Sequence, residues 1–116
     1  MSDMLKIDDA GGVIEVSFIQ QDILDEANIQ QIGTELNAAL EGKAAPKLII
    51  DFGNVRHLSS AALGVLITVN NRSKDGGGRM CLANIAPEIF EIFKITKLDR
   101  IFSIHDTSLS ARESFS

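Results

Sequence analysis

The sequence predicts one α/β domain over residues 1–116, with a mostly parallel sheet of four to five strands, an N-terminal hairpin strand and about four helices packed against it. Three observations carry this prediction. Short apolar runs such as "VIEVSFI", "PKLIIDF" and "RMCLANI" alternate with longer stretches whose apolar residues recur every three or four positions. Glycine or proline marks most of the junctions between them. The chain is 45% hydrophobic over 116 residues, enough to bury one core and too little for two. Strands separated by helices of this length pair in parallel through right-handed crossovers, because a tight turn cannot return the chain to a parallel neighbour.

The elements follow in order. A short strand near Met4 to Ile7 leads through "DDAGG" into a longer strand, Val13 to Ile19, as a hairpin. After "QQDILD", Ile29, Ile32, Leu36 and Leu40 share one face of an amphipathic helix that Gly42 stops. Pro46 opens "PKLIIDF", apolar throughout, as expected of a central strand covered on both faces. A second helix is predicted from Ser60 to Lys74, with Leu63, Leu66, Ile67 and Asn70 inward and Asn71, Arg72 and Lys74 outward. The glycines of "DGGG" end it, since glycine adopts left-handed conformations without penalty. "RMCLANI" is the next strand. "APEIFEIFKITKLDRIF" follows as a helix with Pro87 in its first turn and Ile89, Phe90 and Phe93 as its apolar stripe. "FSIHD" is a last strand, and "TSLSARESF" a terminal helix capped by Thr107 or Ser108 whose final residues fray.

Composition narrows the chemistry. A net charge of −5 argues against direct nucleic-acid binding, which needs an excess of Lys and Arg. No apolar run approaches the roughly 20 residues that span a bilayer, and "MSDMLKIDD" lacks the basic flank of a targeting segment, so a cytoplasmic protein without membrane contact is expected. Cys81, inside "MCLANI", reads as a small buried hydrophobe. His57 and His105 have no Cys or Glu at ligand spacing, so no metal is expected. "HLSSAALG" lacks the first glycine of a nucleophile elbow, and "DGGGRM" closes a helix where a phosphate-binding loop would open one. Neither a catalytic residue nor a cofactor is assigned.

The corner "VRHLSSAALGVLI" carries two adjacent hydroxyls. Ser59 or Ser60 suffices to cap the following helix, by accepting a hydrogen bond from a backbone N–H two or three residues on. The second hydroxyl lies at the C-terminal end of a parallel strand, the edge where open α/β sheets keep their sites. It is either part of plain helix capping or a phosphorylation switch. A phosphate there would face free N–H groups and the positive end of the helix dipole.

The order "KLIIDFGNVRHLSSAALGVLI", then "GGGRMCLANIAPEIFEIFKITKLDRIF", resembles the STAS domain of bacterial anti-sigma factor antagonists over nearly the whole chain. Asp51, Ser59, Ser60, Leu63 and Gly64 match its first block, and Gly77, Pro87, Phe93, Thr96, Leu98 and Phe102 its second. The resemblance implies an anti-anti-sigma factor with no catalysis of its own. Ser60 would be the hydroxyl phosphorylated by an anti-sigma factor serine kinase of the GHKL ATPase type. The unphosphorylated form would bind that kinase, and a PP2C-type phosphatase would restore it. The implied docking surface comprises Asp25, Asn28, His57, Ser59, Ser60 and Ala62. Ser59 stands where the family often carries Asp, and Ala62 where it carries glycine, so the Ala62 methyl is expected to limit the approach of a kinase. Two rival readings are a constitutive STAS scaffold whose serines only cap a helix, and a small nucleotide-binding protein.

Overall fold

The computed structural model describes residues 4–115. Seven strands and four helices run in the order β1 (Leu5–Ala10), β2 (Val13–Phe18), β3 (Asp22–Ile23), α1 (Glu26–Leu40), β4 (Lys47–Asp51), β5 (His57–Leu58), α2 (Ser60–Asp75), β6 (Arg79–Ala83), α3 (Pro87–Ile95), β7 (Ser103–His105) and α4 (Ser108–Glu113). A single 3-10 turn, Leu98–Arg100, lies between α3 and β7. Five strands form one sheet in the order β1-β2-β4-β6-β7, antiparallel at β1–β2 and parallel at every other pairing. This is the predicted sheet at its five-stranded limit, with the predicted hairpin at its edge. That hairpin turns through Gly11 and Gly12, both at positive φ (64° and 80°), the two-residue turn whose twist suits paired strands.

Strand order explains where the core lies. From β2 onward each crossover steps in the same direction, and connections of one hand then deliver α1, α2 and α3 to one face of the sheet. Val16, Leu48, Ile50, Met80 and Leu82 meet Ile32, Leu36, Leu66 and Phe93 there. The alternate residues Val13, Ile49, Cys81 and Ala83 face the other way and are closed over by Ala111 of α4 and Phe115. Leu48, Ile49 and Ile50 have no exposed surface, so β4 is the doubly covered strand its apolar run implied. Four of the six phenylalanines, Phe18, Phe52, Phe93 and Phe102, form a row of ring contacts with centroids 5.3, 6.1 and 5.8 Å apart.

Several details depart from the sequence expectation. The predicted third helix breaks after Ile95, because Lys97 takes the left-handed conformation (φ 62°) usually left to glycine. Phe90, predicted in the apolar stripe, is 37% exposed, whereas Ile89 and Phe93 are buried. The inward stripe is completed by the partly buried Ile92, which shares a face with Ile89 and Phe93, and Phe90 lies off that face. Beyond α4 the chain packs back on the domain through Phe115. The Arg79 guanidinium lies 4.8 Å from the Phe115 ring centroid and donates to the Ser114 carbonyl oxygen at 2.8 Å. Ser116 falls outside the described residues.

The three glycines after α2 have two different reasons to be glycine. Gly77, at φ 82°, completes a Schellman cap: its N–H donates to the Lys74 carbonyl at 2.9 Å, and that of Gly78 to Ser73 at 2.8 Å. Gly78 itself has ordinary φ, but a Cβ there would sit 1.9 Å from the Pro46 carbonyl oxygen. Gly76 has only ordinary contacts around its missing Cβ. Gly78→Ala is therefore expected to cost about 2 kcal/mol or more of folding free energy, because backbone must move, while Gly76→Ala changes it by less than about 1 kcal/mol. Urea denaturation of the two variants beside wild type measures the difference.

Candidate functional site

The corner before α2 is built by a pairing too short to show in the sequence. β3 and β5, two residues each, pair in parallel, with Asp22 beside His57 and Ile23 beside Leu58. Three backbone N–H groups reach across: Arg56 to the Gln21 carbonyl at 2.8 Å, His57 to the same oxygen at 3.2 Å and Ser59 to Ile23 at 3.1 Å. The Asn54 side-chain amide donates to the Phe18 carbonyl at 3.1 Å and ties the loop to the end of β2. Because β3 leads into α1 and β5 into α2, this small ladder sets the N-termini of the two helices side by side at the C-terminal end of the main sheet.

Both helices begin with a side-chain cap. Asp25 accepts a hydrogen bond from the Asn28 N–H at 3.1 Å. Ser59, in extended conformation (φ −88°, ψ 164°), accepts from the Ala62 N–H at 3.4 Å, and its carbonyl from the Leu63 N–H at 3.3 Å. The hydroxyl left open by the sequence is thus that of Ser60. It is exposed and has no hydrogen-bond partner among the described residues, and its own N–H and that of Ala61 likewise have no backbone acceptor there. A helix start of this kind presents unpaired donors and the positive end of the macrodipole to any group carried on Ser60.

The remaining predicted residues separate into surface and core. Asp25, His57 and Ser60 are exposed, and Asn28 and Ser59 partly so, all on the end of the domain defined by β3 and β5. Ala62 is different. It is 5% exposed and its methyl packs toward Phe18, Ile23, Ile29 and Leu66 around a void of about 10 Å³, no larger than one water. The expectation that this methyl limits a partner's approach is corrected: it points into the core, and Ala62 contributes to the corner through its N–H.

Two features were not foreseen. Asp22 Oδ1 lies 2.6 Å from His57 Nδ1, an ion pair whenever the imidazole is protonated. Beside it a groove of about 610 Å³ runs between Gln21, Leu24, Arg56 and Leu58 on one wall and Glu88 and Ile92 of α3 on the other. Leu24 is 55% exposed at its rim. Charged and apolar groups thus mix along an open trough next to the serine corner. No sequence periodicity marks Asp22 or Arg56; only the β3–β5 pairing brings them together.

The family model described as STAS domain matches residues 7–111. A protein of Bordetella bronchiseptica named as a candidate anti-sigma factor antagonist, BtrV, is 27% identical over 95 residues, covering 82% of this chain and 81% of that one. Among solved structures, an anti-sigma-factor antagonist (STAS) domain protein from Planctomyces limnophilus aligns with a TM-score of 0.86 at 23% identity over 97% of both chains. The Bacillus cell fate determinant SpoIIAA, in its phosphorylated form, aligns with a TM-score of 0.73 at 16% identity over 97% of this chain and 99% of that one. At these identities the two structural likenesses establish a shared fold.

The division of labour between the serines is directly measurable. Ser59→Ala removes the α2 cap and is expected to lower stability by about 1 kcal/mol. Ser60→Ala removes an unbonded hydroxyl and is expected to change it by less than about 0.5 kcal/mol. Chemical denaturation of both variants reads the difference, and equal costs would mean that Ser60 shares the cap.

Proposed function

Because the chain belongs to the STAS domain family, we propose that it is an anti-sigma factor antagonist acting as a phosphorylatable partner switch in the cytoplasm, with no catalysis of its own. One observation carries the reading: capping is completed by Ser59, so the exposed Ser60 hydroxyl is available for modification without loss to the fold. The relative BtrV, named as a candidate antagonist, and the fold shared with phosphorylated SpoIIAA support it.

In this reading an anti-sigma factor serine kinase of the GHKL ATPase type docks on the end formed by Asp25, Asn28, His57 and the two serines, with the neighbouring groove receiving apolar and charged groups of the kinase. Ser60 Oγ attacks the γ-phosphorus of ATP held by the kinase. The bond from that phosphorus to the ADP oxygen breaks, and the hydroxyl proton passes to a base on the kinase. The phosphoserine gains about 1.5 to 2 negative charges. Its phosphate lies at the start of α2, where the unpaired N–H of Ala61 and the helix dipole tolerate it, so the domain keeps its fold. The kinase surface that fitted a neutral hydroxyl must instead desolvate a dianion, and the complex separates. A PP2C-type phosphatase hydrolyses the phosphoester and restores binding.

Phosphopeptide mapping of protein isolated from its host with phosphatases inhibited is expected to find phosphate on Ser60, absent from a Ser60→Ala strain. Ser60→Asp is expected to weaken retention of the kinase captured by wild type at least about tenfold. An unphosphorylated Ser60 under several growth conditions, together with a Ser60→Asp variant that binds like wild type, would replace the switch with a constitutive STAS scaffold.

A further inference from the structure

The main sheet has two edges, and they differ. β7 is three residues long, whereas β1 is six, and among the described residues β1 pairs with β2 alone. The Ile19 N–H donates to the Met4 carbonyl at 2.8 Å, in register with the pairs Leu5–Phe18 through Ala10–Val13. In an antiparallel ladder the bonded residues alternate, so Lys6 and Asp8 turn their backbone groups toward β2, and Ile7 and Asp9 turn theirs to the open edge. Long open edges invite pairing with another strand.

The side chains on this edge are self-complementary. Lys6 and Asp8 lie on one face, both exposed, and neither forms an ion pair among the described residues. Asp8 sits directly opposite Glu15, a like-charge pair. Glu15 has Arg112 at 3.6 Å, but Asp8 has no cation among the described residues. On the opposite face Ile7 is 44% exposed beside the core. Asp9 is already paired with Lys43 at 3.0 Å.

We propose that this chain forms a two-fold dimer by antiparallel pairing of β1 with β1 of a second copy, centred on Ile7, so that Lys6 of each copy faces Asp8 of the other. The register follows from charge. With the axis at Ile7, the two Ile7 residues exchange N–H···O=C bonds through the groups they turn outward. They are flanked by Lys6–Asp8 pairs at non-hydrogen-bonded positions, where side chains lie closer. Moving the axis by one residue sets Lys6 against Lys6 or Asp8 against Asp8. The two-fold supplies each Asp8 with the cation it lacks and covers Ile7 with its own copy. The sheet continues from five strands to ten, and the serine corner, built on β3 and β5, has no part in the pairing.

Sedimentation equilibrium over a concentration series up to about 1 mM, which reaches weak contacts, tests this. Wild type is expected to dimerise. Lys6→Asp, which sets like charges at every cross-pair, is expected to raise the dissociation constant at least about tenfold, and Lys6→Asp with Asp8→Lys to return it to within about threefold of wild type. These positions are exposed, and unchanged circular dichroism verifies that the variants fold. A wild type that stays monomeric, a Lys6→Asp variant that dimerises as well as wild type, or a double swap that fails to recover would each overturn the proposal. The first of these would mean that Lys6 protects the edge from pairing. None of these outcomes bears on phosphorylation of Ser60.

Discussion

The backbone ladder between Gln21–Ile23 and Arg56–Ser59 is the constraint on which the candidate site depends. It holds only a few hydrogen bonds, yet it joins two loops that are far apart in sequence and each lead into a helix. Ser59 is extended because its N–H is held by the Ile23 carbonyl, and that conformation lets its hydroxyl turn back to the Ala62 N–H. With Ser59 so engaged, the next residue begins the helix with its hydroxyl outward. The exposed position of Ser60 is thus a consequence of backbone pairing several residues earlier. Phe18 and Phe52 pack against each other close to this corner, where an unbroken apolar contact resists bending of the ladder.

The proposed switch at Ser60 needs a frame that does not yield when charge is added. The parallel core supplies one: β4 is sealed on both faces, and the helices on one side are fixed by contacts distributed over the whole sheet. A phosphate added at the rim of such a frame alters the field and shape seen by a partner and disturbs little beneath. The groove beside the corner has the opposite character, being open and lined by side chains of both charges. The two together set an exposed hydroxyl next to an open contact surface.

The main sheet and its helices were legible because each buries a face, and burial leaves a period in the sequence. β3 and β5 left none, being two residues long and held by backbone groups that any side chain can accompany. The end of α3 was hidden for a related reason: the left-handed residue after it is Lys97, where a reader looks for glycine. Gly78 shows the reverse case, a glycine explained by a distant carbonyl and not by its own torsion angle. At the site, a helix cap and a spare hydroxyl are legible in the serine pair, but which serine caps is set by the β3–β5 ladder. The match of Ser60 to a phosphorylated position came from family resemblance. The Asp22–His57 pair and the groove required the folded chain, since their residues come from three separate segments.

The cover that α4 and Phe115 place over the second face of the sheet gives the domain an internal reporter. Cys81 has no exposed surface and lies beneath this cover, with its sulfur 3.8 Å from the Ser114 hydroxyl. A thiol reagent can reach it only when the carboxy-terminal helix lifts away or the whole domain opens. Alkylation kinetics of the unmodified protein therefore time the loosening of one short helix against that of the entire core.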